Sequence, residues 1–290
     1  DLHSFPTRRS SDLVVVIYDE NIPDKFIKYY SETLSPKALI PLSDGKKNTD
    51  TYLKIISTLA SLELKKNDML IAIGGGSTTD VVGFAACTYK RGVNFAIIPS
   101  TLLCAIDAGI GGKNGINTKD AKNLIGTFYQ PDYVINDFTM LSVLDSKLIR
   151  EATAELIKMA LLGNDTLLRI LSKTKTKSTT VICDHLSEIV KSATAQKMQI
   201  VCKDPYDKNE RKLLNFGHTL GHAIESYSKY EINHGIAVAY GMIGACNIGL
   251  KLGITSQKFK QTLIRLLQAH SLDITFNNYQ IGRASCRERV

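Results

Sequence analysis

No apolar stretch of this 290-residue chain approaches the length of about 18 residues that a helix needs to cross a bilayer, so no membrane-spanning helix is expected. No run of lysine and arginine exceeds two residues. The formal net charge of +8 is therefore not gathered into the stripe or tail that nucleic-acid binding requires. The six cysteines contain no C-x-x-C pair, which speaks against a disulfide framework or a cysteine-zinc site and for a reducing cytoplasm. Internal repeats and low-complexity segments are lacking, and no signal peptide is visible. Histidine is scarce, six in all, yet His218, His222 and His234 fall in one short stretch. The apolar fraction, 44%, is that of a globular protein with one large or two ordinary domains.

Residues 1–13 and 281–290 have no apolar periodicity, and both resemble translations of one sequencing-adapter DNA read on opposite strands. They are expected to be non-native scars, leaving 14–280 as a natural segment truncated at its C-terminus. Without them the chain has 31 basic against 25 acidic residues, a net charge of +6. That excess suits a small anionic substrate.

The first half alternates short apolar runs with helical patterns. Strands are expected at 14–18, 37–41, 69–73, 95–98 and 133–136, with helices at 26–34, 51–62 and 80–89. Such alternation implies a parallel sheet flanked by helices. Beyond that point only helical periodicity remains, at 148–162, 180–199, 211–226, 235–252 and 257–270. The expected architecture is a Rossmann-like α/β nucleotide-binding domain over 14–147 and an all-α metal-binding domain over 148–280.

Three segments carry chemistry. Gly74-Gly75-Gly76-Ser77 follows the clearest buried strand, where glycines let backbone N–H groups approach a phosphate. Its spacing is not G-x-G-x-x-G, and read alone it is equally a tight turn. Asp80 is either a helix-dipole carboxylate or a hydrogen-bond partner for a nucleotide. Next, residues 107–123 form the densest polar segment, a glycine-rich loop around Lys113 with Lys122 and Asn123 beyond it, of the kind that holds phosphates and carboxylates. Finally, Glu155 and Lys158 stand at i,i+3, and Arg211, Asn215, His218 and His222 recur at four, three and four, a polar stripe on one expected helix. Imidazoles at i,i+4 with a third histidine and a carboxylate can complete a divalent-metal site. Gly217 and Gly221 cost about 1 kcal/mol each inside a helix, so a close approach is expected there.

Taken together, these residues resemble the 3-dehydroquinate synthase family. The resemblance runs from about residue 14 to 252 and rests on residues 74–80, 89–92, 99–103, Asp107, 111–117, 122–126, 154–158, 214–225 and His234-Gly235. It implies a cytoplasmic homodimer that converts an anionic sugar phosphate, 3-deoxy-D-arabino-heptulosonate 7-phosphate, to 3-dehydroquinate and phosphate, with NAD and one divalent metal, zinc or cobalt. By motif, Glu155, His218 and His234 are the implied metal ligands, with His222 as a proton relay beside them. Lys113, Asn123, Lys158, Lys197, Arg211 and Asn215 are implied to hold substrate. Arg91 is implied to approach the phosphate, and Asp107 to orient substrate and nicotinamide. NAD is implied to contact Asp19, Gly74, Gly75, Gly76, Ser77, Asp80, Ser100, Thr101 and Lys122. One departure stands out. The family's Gly-Glu-x-x-Lys element is replaced by Gly45-Lys46-Lys47-Asn48-Thr49, without the acid or the lysine at those places. Related readings are a sister sugar-phosphate cyclase, a polyol dehydrogenase of similar fold that releases NADH, and an inactive fragment.

Overall fold

A computed structural model describes residues 13–43, 46–119, 121–173, 178–229 and 231–272. The two stretches read as adapter-derived lie outside the described residues, except Leu13. The chain divides into two compact units between Val143 and Leu144.

In the first unit, β1 (Val14–Asp19), α1 (Asp24–Leu34), β2 (Ala38–Leu42), α2 (Thr49–Ser61), β3 (Met69–Gly74), α3 (Gly76–Thr88) and β4 (Asn94–Pro99) follow one another. A hairpin of β5 (Lys113–Ile116) and β6 (Ile125–Phe128) comes next, then β7 (Tyr133–Val134) and α4 (Phe138–Leu141). Five strands form one sheet in the order β2-β1-β3-β4-β7, every pair parallel. The sheet is covered on both faces, which explains why its strands read as unbroken apolar runs. Successive side chains alternate between faces. Val15, Ile17, Leu70, Ala72, Phe95 and Ile97 pack with Ile55 and Leu59 of α2 and with Val81 and Ala85 of α3. Val14, Val16, Ile71, Ile73, Ala96 and Ile98 pack with Phe26, Tyr30 and Leu34 of α1 and with Met140. Burying each large aliphatic side chain contributes about 1.5–3 kcal/mol.

The order reverses between β1 and β3, the place where open α/β sheets leave a crevice at the carboxyl ends of their strands. Tyr18 pairs with Ile73 and Gly74 with Pro99. This register sets Asp19, Gly74 and Ser100 at the ends of three neighbouring strands.

The second unit is helical: α5 (Ser146–Leu161), α6 (Asp165–Leu171), α7 (Ser178–Asp184), α8 (Leu186–Lys203), α9 (His218–Tyr227), α10 (His234–Lys251) and α11 (Gln257–Ala269). Side-chain caps start most of them, Asp145 on α5, Asn164 on α6, Asn233 on α10 and Ser256 on α11. None of the described helices is long and apolar enough to cross a membrane.

Four expectations need correction. The helix expected from residue 80 begins at Gly76, because Gly75 is its cap and the glycine turn itself opens the helix. The expected loop around Lys113 is instead strand β5, paired antiparallel with β6, whose short glycine-containing runs carry little strand signal. The helix expected over 180–199 is interrupted at His185 (φ −116°, ψ 19°), where no glycine or proline marks the break. The helix expected over 211–226 is a 3-10 turn, Glu210–Asn215, followed by α9. Gly217, at φ +84°, separates the two. A Cβ there would lie 2.5 Å from the Met242 side chain and 2.9 Å from the Val238 carbonyl, so glycine alone suits this left-handed, tightly packed position. The polar stripe therefore spans a turn and a helix rather than one continuous helix face.

Candidate metal centre and nucleotide crevice

The metal-type cluster is built from three helices of the second unit. Glu155 and Lys158 lie one turn apart on α5 and are almost fully buried, at 0% and 1% exposure. His218 opens α9 and His234 opens α10. Glu155, His218 and His234 each offer a ligand atom, and these atoms lie within 4.8 Å of one another. One oxygen of Glu155 is 3.4 Å from His218 Nε2 and 3.5 Å from His234 Nε2. The other contacts the Lys158 ammonium. Neither oxygen makes a hydrogen bond of acceptable geometry, although both are fully buried. A buried carboxylate without such bonds, faced by two imidazoles, is the donor set a divalent cation takes.

Close helix packing brings these groups together. A Cβ on Gly241 of α10 would sit 1.9 Å from the Gly217 carbonyl, and one on Gly221 would sit 3.2 Å from the Ala237 carbonyl. The close approach expected of Gly217 and Gly221 is thus that of α9 to α10. A Cβ on Gly235 would strike the Glu151 carbonyl of α5 at 2.4 Å. Glycines therefore set the separation of all three helices that carry the ligands.

Burial opposes charge on Glu155, but Lys158, His234 and His218 outweigh it and hold its carboxyl well below the usual range. Burial likewise opposes charge on His234, yet the Glu155 and Glu225 carboxylates, one beside each ring nitrogen, raise its pKa to about 10. Lys158 is fixed from its other side by donating to the Leu214 carbonyl at 2.7 Å.

His222 lies on α9 at the exposed edge of this cluster, its ring centroid 5.4 Å from that of His218 and 6.4 Å from that of His234. It is not one of the three converging ligands. Arg211 and Lys197 are buried cations of the same unit, at 2% and 6% exposure. Arg211 donates to the Pro205 carbonyl at 2.8 Å. Asn215 is exposed and lines a cavity of about 680 Å3 with Lys212, Phe216 and Phe259.

In the α/β unit, Asp19, Gly74–Ser77, Ser100 and Thr101 gather at the carboxyl ends of β1, β3 and β4. Ser100 N–H donates to the Gly74 carbonyl at 2.9 Å, and a Cβ on Gly75 would lie 3.2 Å from the Thr101 methyl. The N-terminus of the 13-residue helix α3 opens at this turn, presenting free backbone N–H groups of the kind that hold phosphate. Asp80, Lys113 and Asn123 share a cavity of about 360 Å3. Asp107 sits in a π-helical turn, Cys104–Ala108, a distortion often found at functional positions. Lys122, Asn123 and Arg91 are exposed, and Arg91 and Asn123 adopt positive φ.

Three residues were missed by sequence reasoning. Lys47 donates to Asp80 at 2.5 Å and is 9% exposed, so a lysine does reach this crevice, two positions before the expected one. Glu225 approaches His234 Nδ1 at 3.4 Å. Its signal was available, since it follows His222 by three positions and His218 by seven on one helix face. Asp204 accepts from the backbone N–H groups of Lys208, Asn209 and Arg211, organising the loop that presents Arg211. No sequence pattern pointed to it.

A parallel α/β unit with a glycine turn at its switch point, joined in one chain to a helical unit with a Glu-His-His cluster, defines a class of enzyme that pairs a nucleotide crevice with a divalent-metal centre. Sequence profiles narrow the class. Residues 37–151 match the N-terminal part of 3-dehydroquinate synthase and residues 152–286 its C-terminal part. The chain belongs to the 3-dehydroquinate synthase family, a family of phosphate-eliminating cyclases. It is 37% identical over 265 residues to the 3-dehydroquinate synthase of Sulfolobus acidocaldarius, covering 90% of this chain and 74% of that protein. It is 34% identical over 285 residues to that of Clostridium acetobutylicum, covering 94% and 78%. It also resembles the crystal structure of 2-deoxy-scyllo-inosose synthase complexed with carbaglucose-6-phosphate, NAD+ and Co2+, with a TM-score of 0.84 and 26% identity, over 94% of this chain and 77% of the other.

Proposed function

We propose that the chain converts 3-deoxy-D-arabino-heptulosonate 7-phosphate to 3-dehydroquinate and phosphate. The observation that carries this reading is the Glu155-His218-His234 cluster, set in a unit that also buries the cations Lys158, Lys197 and Arg211. A substrate with both a carboxylate and a phosphate suits a unit that carries three such cations, because charge-assisted hydrogen bonds to anionic groups are the strong ones. The sister cyclases need such a set less fully. The related 2-deoxy-scyllo-inosose synthase structure supports the cofactor pair and a sugar-phosphate substrate, and the 34–37% identical 3-dehydroquinate synthases favour the heptulosonate phosphate among such substrates.

In this reading Glu155, His218 and His234 would hold one divalent ion, zinc or cobalt, which would supply Lewis acidity toward the substrate. Asp19, Gly74–Ser77, Asp80, Ser100, Thr101 and Lys122 would hold NAD, which would supply reversible hydride acceptance there. The protein's own part is positioning and charge complementarity. Lys158, pinned by the Leu214 carbonyl, keeps Glu155 ionised and faces the substrate as a cation. Lys113, Lys197 and Arg211, with Asn123 and Asn215, hold the carboxylate, hydroxyls and phosphate. Charge-assisted hydrogen bonds of this kind contribute about 1.5–3 kcal/mol each. Asp107 orients substrate and nicotinamide. His222, exposed at the edge of the cluster, exchanges a proton with solvent. Arg91 approaches the phosphate from the α/β unit, of the same chain or of a second copy in a homodimer. Phosphate leaves with its own oxygen as the base.

The test is phosphate release from the heptulosonate phosphate with NAD+ and zinc. The expected result is phosphate release without net accumulation of NADH, lost when either cofactor is withheld. Turnover of glucose 6-phosphate alone would assign the chain to a sister cyclase. Net NADH formation on a polyol would assign it to a dehydrogenase.

A further inference from the structure

Glu225 is a buried carboxylate, 8% exposed, on the third turn of α9. One of its oxygens lies 3.4 Å from His234 Nδ1, on the opposite side of the ring from Nε2, which faces Glu155 at 3.5 Å. His234 is thus held between two carboxylates, one at each ring nitrogen. The backbone beneath it is fixed as well. Asn233 caps α10 by accepting from Gly235 N–H at 2.9 Å, and its amide nitrogen donates to Glu151 of α5, one turn before Glu155. Among the described residues, Glu225 is the carboxylate that meets the His234 side chain on the side away from the cluster.

We propose that Glu225 is a positioning residue for the metal centre: it accepts the Nδ1 proton of His234, so that the ring is held in the tautomer and orientation that aim the Nε2 lone pair at the site shared by Glu155 and His218. This inference rests on the metal-centre reading. The chemistry is general, since an imidazole that ligates through one nitrogen is oriented and made more basic by a carboxylate at the other. Removing such a partner typically weakens metal affinity by roughly 10- to 100-fold. A glutamine at 225 still presents an oxygen to Nδ1–H, so orientation survives while the negative charge is lost.

The test measures zinc affinity by competition with a chromophoric chelator, and the visible absorption of the Co2+-loaded chain, for wild type, Glu225→Ala, Glu225→Gln and His218→Ala. Melting of each metal-free chain is followed alongside. The expected result is a loss of zinc affinity of roughly 10- to 100-fold for Glu225→Ala, a smaller loss for Glu225→Gln, and an altered Co2+ spectrum for Glu225→Ala. The metal-free chains of both Glu225 variants should remain folded, with Glu225→Gln the closer to wild type in melting temperature. If Glu225→Ala binds zinc as tightly as wild type while His218→Ala does not, the inference fails and the metal centre stands. If wild type binds no stoichiometric zinc, the metal centre fails and takes the inference with it. A metal-free Glu225→Ala chain that is unfolded or strongly destabilised would show a packing role and would also overturn it.

Discussion

The two units present their candidate residues in opposite ways. In the α/β unit the crevice is made largely of backbone: glycines at a strand end, the opening turn of α3, and polar side chains such as Lys113, Lys122 and Asn123 that remain exposed. In the helical unit the charges are inside, with Glu155, Lys158, Arg211 and Lys197 between 0% and 6% exposed. The contrast follows from what each must hold. A nucleotide phosphate is satisfied by N–H donors that any sequence provides, given glycines that let it approach. A metal and a multiply charged substrate need ionised side chains kept dry and fixed in advance, where electrostatics are strong. The consequence is that function and stability are entangled in one unit and separable in the other.

Glu155→Ala should show the largest effect of any single change. It removes a ligand and the carboxylate that faces the buried Lys158 ammonium, and breaking a buried pair in this way costs about 3–5 kcal/mol. Stoichiometric metal binding should disappear, and the metal-free chain should unfold at clearly lower denaturant. If metal content falls while the unfolding midpoint is unmoved, the buried cluster is not structurally coupled and the contrast between the units collapses.

Lys113→Ala tests the other side of the comparison. Lys113 is exposed at the first position of β5, while its neighbour Asn114 is buried and donates to the carbonyls of Gly112 and Tyr129. The strand therefore stays anchored without the lysine, and stability should change by no more than about 0.5 kcal/mol. Losing one charge-assisted hydrogen bond of about 1.5–3 kcal/mol should lower kcat/KM by roughly ten- to two-hundred-fold, with metal content unchanged. Unaltered kinetics would reduce this face of the hairpin to a surface strand and weaken the substrate assignment.

The same contrast explains what was legible in the sequence. The sheet could be read because parallel strands buried on both faces leave unbroken apolar runs, such as residues 69–74, between helical patterns. The metal trio could be read because histidine is rare and His218, with Glu155 and His234, lies in motif context. Breaks inside the helical unit could not be read from periodicity. Arg211, Asn215 and His218 keep helical spacing across Gly217, and only the packing of α10 against that glycine shows why the chain must turn there. Strand β5 was hidden for the opposite reason, since Lys113-Asn114-Gly115-Ile116 owes its conformation to β6 and to the contact of Asn114 with Gly83 of α3, not to its own propensity. Partners at a distance, Lys47 for Asp80 and Asp204 for the Arg211 loop, are products of tertiary structure, and their side chains carry no local signature.

Asp204 supplies the smallest effect and the sharpest test of the comparison, because it is an anchor of the backbone kind placed within the helical unit. Its carboxylate takes three main-chain donors, from Lys208 at 2.9 Å, Asn209 at 2.5 Å and Arg211 at 3.1 Å. Desolvation opposes its charge, but these donors and the Arg211 guanidinium outweigh it and lower its pKa below the ordinary 3.8. The sign follows from linkage: a carboxyl with a depressed folded-state pKa stabilises the fold above its unfolded value, and that stabilisation is lost as pH falls through the folded value. Asp204→Asn keeps an acceptor oxygen but no charge. The variant should therefore be less stable than wild type at neutral pH, and the gap should close as pH drops below 3.8. Denaturant titrations of both chains across that range measure the gap directly. A gap that stays constant with pH would mean that shape rather than charge holds the loop, and that the Arg211 loop is built no differently from an ordinary turn.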